Sequence, residues 1–215
     1  MMQGMKQKAW IMRHGTRIDV AEPTWRQTAE RPFDPWLAPQ GEREAEQLAA
    51  DLVQEPFSVI YCSPFLRAVQ TAAPIARAKG LAIRIEPGLG EWMHAAWFTE
   101  YPSLLPTHPH EELQGLLDSD YRSPCVGCYP ETWEDVAVRT RETIRRLASH
   151  GESFLAVGHG ASVVGAVAGL LDWQCIHDPV PPPLATPFGL QREEQGWRLL
   201  PGSVDFTFSE SPNPA

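Results

Sequence analysis

Four short apolar runs alternate along the chain with longer segments whose hydrophobic residues recur at helical spacing. The runs are residues 9–12, 59–61, 82–85 and 154–157. Apolar runs of this length, without polar alternation, are typical of strands that are buried on both faces of a sheet. The pattern therefore predicts a central sheet covered by helices on both sides.

The helical segments fit between these runs. Residues 40–52 place Ala45, Leu48, Ala49 and Leu52 on one side and Glu and Arg on the other, as an amphipathic helix requires. Residues 131–150 and 161–171 predict two more helices, and Ser63 with Pro64 predicts the cap and first residue of another. Alternating strands and helices imply crossover connections, so we expect an α/β fold: a three-layer α/β/α sandwich with a mainly parallel sheet.

The remaining segments lack a regular pattern. Residues 101–130 are rich in Pro, His and acidic residues and predict a loop or short-helix insert over the site. Residues 178–187 predict a Pro-rich connection, residues 197–208 a terminal strand or hairpin, and residues 209–215 a disordered tail. We expect residues 1–215 to form a single domain.

Residues suited to phosphate chemistry follow three of the predicted strands. Arg13, His14 and Gly15 end the first, Arg67 lies in the first helical turn after the second, and His159 follows the last. A neutral imidazole is a nucleophile, an arginine fork binds phosphate oxygens, and helix N-termini favour anions. Ligands of parallel α/β sheets bind beyond the carboxyl ends of the strands. Glu91, beside Trp92, adds a carboxylate.

Together these motifs resemble the histidine phosphatase superfamily, also called phosphoglycerate mutase-like, and within it the Sts/TULA-type phosphatase domains. The similarity lies in four segments that run in family order, residues 13–17, 61–72, 83–92 and 158–160. It spans roughly residues 9–200 and implies the phosphoglycerate mutase-like fold. Thr16 stands where the Sts-like group usually has Glu, so the resemblance assigns it no role.

The resemblance also implies a role for each site residue. His14 becomes phosphohistidine, Arg13, Arg17, Arg67 and His159 bind the phosphate, and Glu91 gives and later takes the proton. No metal and no cofactor are expected, because the arginines supply the positive charge. Structural alternatives remain open: a turn histidine at His14, surface charges at Arg17, Arg67 and Glu91, and a capped core histidine at His159.

Net charge, apolar stretches and cysteine spacing limit the partners, the location and the metal sites that we expect. The formal net charge is −9 and the pI about 5.2, which disfavours nucleic acid and anionic membranes as partners. No apolar stretch approaches the length of a membrane span, and residues 1–8 are polar, so we expect a cytoplasmic protein. Cys125 and Cys128 have the spacing of half a zinc site, and the upstream candidate ligands are His108, His110 and Glu111. A second ligand pair at motif spacing is missing, so loop residues are the favoured interpretation.

The favoured function is a phosphomonoester hydrolase that acts on a phosphorylated small molecule or a phosphoprotein. A phosphoglycerate-type mutase and a catalytically idle phosphate-binding module are the alternatives. Aromatic residues in the predicted loops suggest an aromatic or apolar leaving group, although core packing explains each of them equally well; they are Trp25, Trp36, Trp92, Trp97 and Phe98. The physiological substrate and the oligomeric state stay open.

Overall fold

The computed structural model describes residues 6–106, 110–173 and 181–202. The strands in this part of the chain are β1 (Lys8–Arg13), β2 (Val59–Cys62), β3 (Ile83–Ile85), β4 (Phe154–Gly158), β5 (Pro187–Glu193) and β6 (Gly196–Leu199). The α-helices are α1 (Ile18–Ala21), α2 (Pro39–Leu52), α3 (Leu66–Lys79), α4 (Glu111–Gln114), α5 (Trp133–Ser149) and α6 (Gly160–Leu171).

One sheet has the strand order β3-β2-β4-β1-β5-β6. Strands β1 to β4 pair in parallel, as the crossover pattern predicts, whereas β5 pairs antiparallel with both β1 and β6. The expected mainly parallel sheet is therefore confirmed. The hairpin predicted near residue 197 begins earlier, because its first strand is β5, which starts within the expected Pro-rich connection at Pro187.

Side chains of the central strands alternate between two cores, one on each face of the sheet. Ala9 and Ile11 of β1 pack against α5 and α6, while Trp10 and Met12 pack against α2 and α3. All four are nearly or fully buried. The three-layer arrangement follows from this two-sided burial, because each face of the sheet must exclude water from an apolar surface.

The start of α3 differs from the prediction. Ser63 and Pro64 precede the helix, which begins at Leu66. The Leu66 amide donates instead to the buried carboxylate of Asp34, over 2.9 Å, so a side chain distant in sequence satisfies the helix terminus. Ser63 is thereby available for the site described below.

In the predicted insert, residues 117–123 run beside β3 and the loop that follows it, whereas the Leu105 amide donates to the Pro64 carbonyl before α3. Asp118 pairs with Arg84, and the hydroxyls of Tyr121 and Ser123 donate to the buried carboxylate of Glu86. Residues 203–215, which include the second half of the predicted terminal strand or hairpin and the whole predicted tail, lie outside the described residues. In the described part of the chain, no helix is long and apolar enough to cross a membrane.

Candidate active site

The residues that directly follow three of the parallel strands lie together at one edge of the sheet. His14 follows β1, Ser63 follows β2 and His159 follows β4. The His14 amide donates to the Gly158 carbonyl over 3.0 Å, and the two imidazole rings lie edge to face with centroids 5.2 Å apart. Parallel pairing thus brings together residues that lie 145 positions apart, as expected for the carboxyl ends of an α/β sheet.

His14 is fully buried, and its tautomer is fixed by its own loop. Nδ1 lies 2.7 Å from the Gly15 carbonyl oxygen, which can only accept, so Nδ1 carries the proton. Nε2 is buried and has no hydrogen-bond partner among the described residues. Burial first, and then the charge of Arg67, hold the pKa of His14 well below its ordinary value. The ring is therefore neutral, with a free lone pair on Nε2.

Contacts from α2 and α3 hold the loop after β1 in place. The Gly15 amide donates to Thr71 Oγ1 over 3.0 Å, and Thr71 donates to the Arg67 carbonyl. Thr16 donates through both its amide and its hydroxyl to the carboxylate of Glu44. A Cβ on Gly41 would lie 2.2 Å from the Thr16 carbonyl oxygen, so only glycine permits this approach of α2. Thr16 is therefore an anchor of the loop.

Arg67 places a buried cation at the N-terminus of α3, where the prediction located it. Its side chain is only 2 % exposed, with Nη2 lying 3.3 Å from Glu91 Oε2 and Nη1 3.9 Å from Asp34 Oδ1. Burial lowers the pKa of the guanidinium to about 10, an effect that the Glu91 charge opposes. Arg67 therefore stays protonated at neutral pH, and its Nε and Nη1 have no hydrogen-bond partner among the described residues.

His159, at the N-terminus of α6, is held on both ring nitrogens. Nε2 lies 2.6 Å from Ser63 Oγ, and Nδ1 lies 3.2 Å from Arg67 Nη2. Since the guanidinium only donates, Nδ1 accepts and Nε2 carries the proton in the neutral ring. Burial, then Arg67, then His14 lower the pKa of His159 well below its ordinary value.

Glu91 closes the group of charged residues. Its Oε2 lies 3.3 Å from Arg67 Nη2 and 3.4 Å from His159 Nδ1, and its Oε1 accepts from the Trp92 amide. The loop that carries it follows a short 3-10 turn, Pro87–Leu89. The carboxylate is 12 % exposed, so it reaches both the buried histidine and the open pocket.

Arg13 and Arg17 complete the cationic rim. Arg13 Nη1 donates to the Pro182 carbonyl, while its buried Nε has no partner among the described residues. Burial lowers the pKa of Arg13, which the charge of Glu91 opposes. Arg17 lines the same pocket but makes a two-pronged pair with Asp19, over 2.8 and 2.9 Å. Its guanidinium is therefore oriented by a carboxylate.

A pocket of about 690 Å³ opens above these groups. Arg13, Arg17, Arg26, Arg67 and Glu91 form its polar part, and Phe33, Trp92, Trp97, Phe98 and Trp133 form an aromatic wall. The sequence correctly located Trp92, Trp97 and Phe98, and missed Phe33 and Trp133. Trp25 and Trp36 do not line the pocket; their rings pack on each other, 4.9 Å apart, beside α1. No described residue of the predicted insert lines it either.

Three side chains of the site carry atoms of the kind that bind metals. Donor atoms of His14, Glu91 and His159 come within 4.8 Å of one another. However, Glu91 Oε2 and His159 Nδ1 already contact the Arg67 guanidinium, which supplies positive charge where a metal would lie. In the described part of the chain, Cys125 and Cys128 are free thiols and belong to no cluster of metal ligands. His108, one of the upstream candidate ligands, lies outside the described residues.

Comparison with known proteins gives the same family that the sequence motifs resemble. A family model described as the histidine phosphatase superfamily (branch 1) matches residues 9–200. The ecdysone phosphate phosphatase of Bombyx mori, solved with tungstate, superimposes with a TM-score of 0.73 over 98 % of both chains at 17 % identity. This similarity confirms the phosphoglycerate mutase-like fold.

Two curated relatives match parts of the sequence. Ubiquitin-associated and SH3 domain-containing protein B from Homo sapiens is 32 % identical over 48 % of this chain and 18 % of its own length. The ecdysteroid-phosphate phosphatase of Drosophila melanogaster is 26 % identical over 73 % of this chain and 26 % of its own length. The chain thus covers about a fifth to a quarter of the length of these relatives.

The tautomer of His14 gives the first testable prediction. In the folded protein at pH 6 we expect ring nitrogen-15 NMR to show a neutral His14 with its proton on Nδ1. In urea the same ring should titrate near pH 6.5. Below this pH the ring binds a proton in the unfolded chain but not in the folded protein. The contribution of this ring should therefore lower the free energy of unfolding as the pH falls below about 6.5. A cationic ring, or a proton on Nε2, at pH 6 would contradict the geometry.

Proposed function

The chain belongs to the histidine phosphatase superfamily, and we propose that it is a phosphomonoester hydrolase that acts through a phosphohistidine on His14. The observation that carries this proposal is the buried, unpartnered Nε2 of a neutral His14. A nucleophilic nitrogen kept free of hydrogen bonds beside several cations is suited to attack on a phosphorus atom.

In the first step, His14 Nε2 forms a bond to phosphorus while the bond from phosphorus to the ester oxygen breaks. The equatorial oxygens gain charge, which Arg13, Arg17 and Arg67 stabilise. The unpartnered Nε of Arg13, and Nε and Nη1 of Arg67, are donors already desolvated for this purpose. The phosphate dianion also favours uptake of a proton from solvent at His159 Nδ1, which then exchanges its hydrogen bond from Arg67 Nη2 for one donated to a phosphate oxygen.

Glu91 moves the proton in both steps. As an acid it protonates the departing ester oxygen, and as a carboxylate it then takes a proton from the water that attacks phosphohistidine. The products are the alcohol and inorganic phosphate, and His14 returns to its neutral form. The contacts of Glu91 with Arg67 and His159 place its carboxylate beside the phosphate-binding groups.

The two alternative functions use the same groups differently. A phosphoglycerate-type mutase would pass the phosphoryl group to a second hydroxyl rather than to water. An idle phosphate-binding module would need no free nucleophile, so the unpartnered Nε2 of His14 argues against it. We further propose that residues 1–215 form one histidine phosphatase domain, in keeping with the family match over residues 9–200. A cytoplasmic location stays a prediction.

The aromatic wall supports a narrower proposal for the substrate, a small-molecule phosphate ester with a flat, apolar leaving group. Trp92 packs edge to face on Trp97 and Trp133, with centroids 5.3 and 5.4 Å apart. Trp97 is 50 % exposed at this wall, so an apolar ligand would remove a large aromatic surface from water. The pocket is of a size typical for small molecules. A relative named for an ecdysteroid phosphate is consistent with such an ester.

Replacement of the nucleophile tests the reaction. His14→Ala should abolish release of inorganic phosphate from para-nitrophenyl phosphate, because among the described residues of the site His14 alone presents a nucleophilic atom without a hydrogen-bond partner. Wild-type protein that is quenched in acid-free denaturant during turnover should carry phosphate on His14, as detected by mass spectrometry. In a separate assay, wild type should keep its activity in EDTA. Substantial turnover by the variant would exclude His14 as the nucleophile. Transfer of the phosphoryl group to glycerate by wild type, without release of inorganic phosphate, would favour the mutase.

Replacement of the acid tests the proton transfer. Glu91→Gln should lower kcat/KM for phenylethyl phosphate about 10²–10⁴-fold, because an alkoxide leaves poorly without a proton. The loss should be much smaller for para-nitrophenyl phosphate, whose phenolate leaves unaided, and a burst of phenolate should precede slow hydrolysis of phosphohistidine. Equal losses for the two esters, without a burst, would remove Glu91 as the proton donor.

Removal of the exposed indole tests the substrate class. Trp97→Ala should raise KM for naphthyl phosphate about 3–10-fold, the loss expected for an aromatic contact. The inhibition constant of inorganic phosphate, which reaches only the cationic part, should not change. Trp36→Ala is the matched control, since Trp36 is 42 % exposed but lies outside the pocket lining. Better use of a phosphotyrosine peptide than of naphthyl phosphate by wild type would favour a phosphoprotein substrate.

A further inference from the structure

A buried ion pair lies behind the loop that carries Glu91. Arg139 of α5 donates from Nε and Nη2 to the two carboxylate oxygens of Glu131, over 2.6 and 2.8 Å. The side chains are only 10 % and 2 % exposed. A buried pair of this kind is costly to desolvate and is weak evidence for stability by itself. Its other contacts show what else it does.

The remaining donors of Arg139 are directed at the loop. Nη1 donates to the carbonyls of Gly88 and Gly90, over 3.0 and 3.3 Å, and Nη2 donates to the Glu91 carbonyl over 3.1 Å. One planar guanidinium thus contacts three backbone carbonyls within four residues. Such a fork fixes both the position and the orientation of the peptide groups that it binds.

Glu131 holds the other end of the same loop. Its carboxylate accepts from the Met93 amide, its own amide donates to the Met93 carbonyl, and its carbonyl accepts from the Trp92 indole, all within 3.0 Å. Residues 91–94 belong to no helix or strand, so no sheet or helix hydrogen bonds fix them. Hydrogen bonds from the Arg139–Glu131 pair fix this loop instead, on both sides of Glu91.

We propose that Arg139, paired with Glu131, is a positioning residue that sets where the Glu91 carboxylate stands relative to the ester oxygen. This inference rests on the proposed role of Glu91 as proton donor. Arg139 does not itself line the pocket, and it contacts Glu91 only at the backbone carbonyl, so it acts through the loop. A displacement of about 1 Å in a catalytic group can cost about 10²-fold in rate.

Arg139→Lys is the variant that separates positioning from folding. A lysine keeps a positive charge for the buried carboxylate of Glu131 but lacks the planar fork that spans three carbonyls. The matched control is Arg141→Lys on the same helix, because half-buried Arg141 donates to the Trp173 carbonyl, away from the site. Melting temperatures of both variants show how much each substitution affects the fold.

We expect Arg139→Lys to lower kcat/KM for phenylethyl phosphate about 10–100-fold and for para-nitrophenyl phosphate less than about 3-fold. This constant reports only the steps up to departure of the leaving group. In the Glu91→Gln background, Arg139→Lys should cause no further loss, because the group that it positions is already gone. Arg141→Lys should behave as wild type with both esters.

Two results would overturn the inference while leaving the proposed function intact. One is an equal loss for the two esters in Arg139→Lys, or no loss at all, when Glu91→Gln discriminates between them. The other is a further loss in the double variant equal to that of Arg139→Lys alone, which a general effect on the fold would produce. If wild type hydrolyses neither ester, the proposed function itself fails. If Glu91→Gln does not discriminate between the esters, Glu91 is not the proton donor. In both cases the role of Arg139 fails as well.

Discussion

Burial of the Arg67 guanidinium is the constraint on which the rest of the site depends. The side chain lies at the N-terminus of α3 and is almost inaccessible to solvent. A buried cation is tolerated only with compensating partners, and here these are Glu91, Asp34 and the ring of His159. Each partner comes from a different segment, so the loops after β3 and before α2 and the N-terminus of α6 must meet at Arg67. The site is thus assembled around one charge.

The negative groups of the site compensate only part of its positive charge, and the remaining positive charge favours the binding of an anion. Four arginines line the pocket with one carboxylate among its lining residues, in a chain of net charge −9. Two of these arginines keep buried N–H groups without partners in the described part of the chain. Desolvated donors that already point into place need little reorganisation when a phosphate dianion arrives. The excess of positive charge also keeps both histidines neutral, which the attacking ring requires.

The sequence predicts what depends on local pattern. Buried strands at residues 9–12, 59–61 and 154–157 give the sheet, and their carboxyl ends bring His14, Arg67 and His159 together. Contacts between distant segments leave no such pattern: Asp34 lies in an aperiodic loop yet caps α3, so Ser63 was wrongly predicted as the cap. Arg139 and Glu131 lie within the predicted helix 131–150, and no local motif distinguishes them from its other charged residues. Only the fold shows that they face the loop of Glu91, and that Trp25 and Trp36 pack on each other.

The same logic explains how two chemically identical rings at one sheet edge acquire different roles. His14 and His159 are both buried, and both have lowered pKa values. Their partners differ: His14 uses Nδ1 on a backbone carbonyl, which leaves Nε2 free, whereas His159 has Ser63 on Nε2 and Arg67 on Nδ1. A nitrogen that already accepts from a guanidinium is a poor nucleophile, because its lone pair is engaged. Hydrogen bonding, rather than burial or charge, therefore determines which histidine can attack phosphorus.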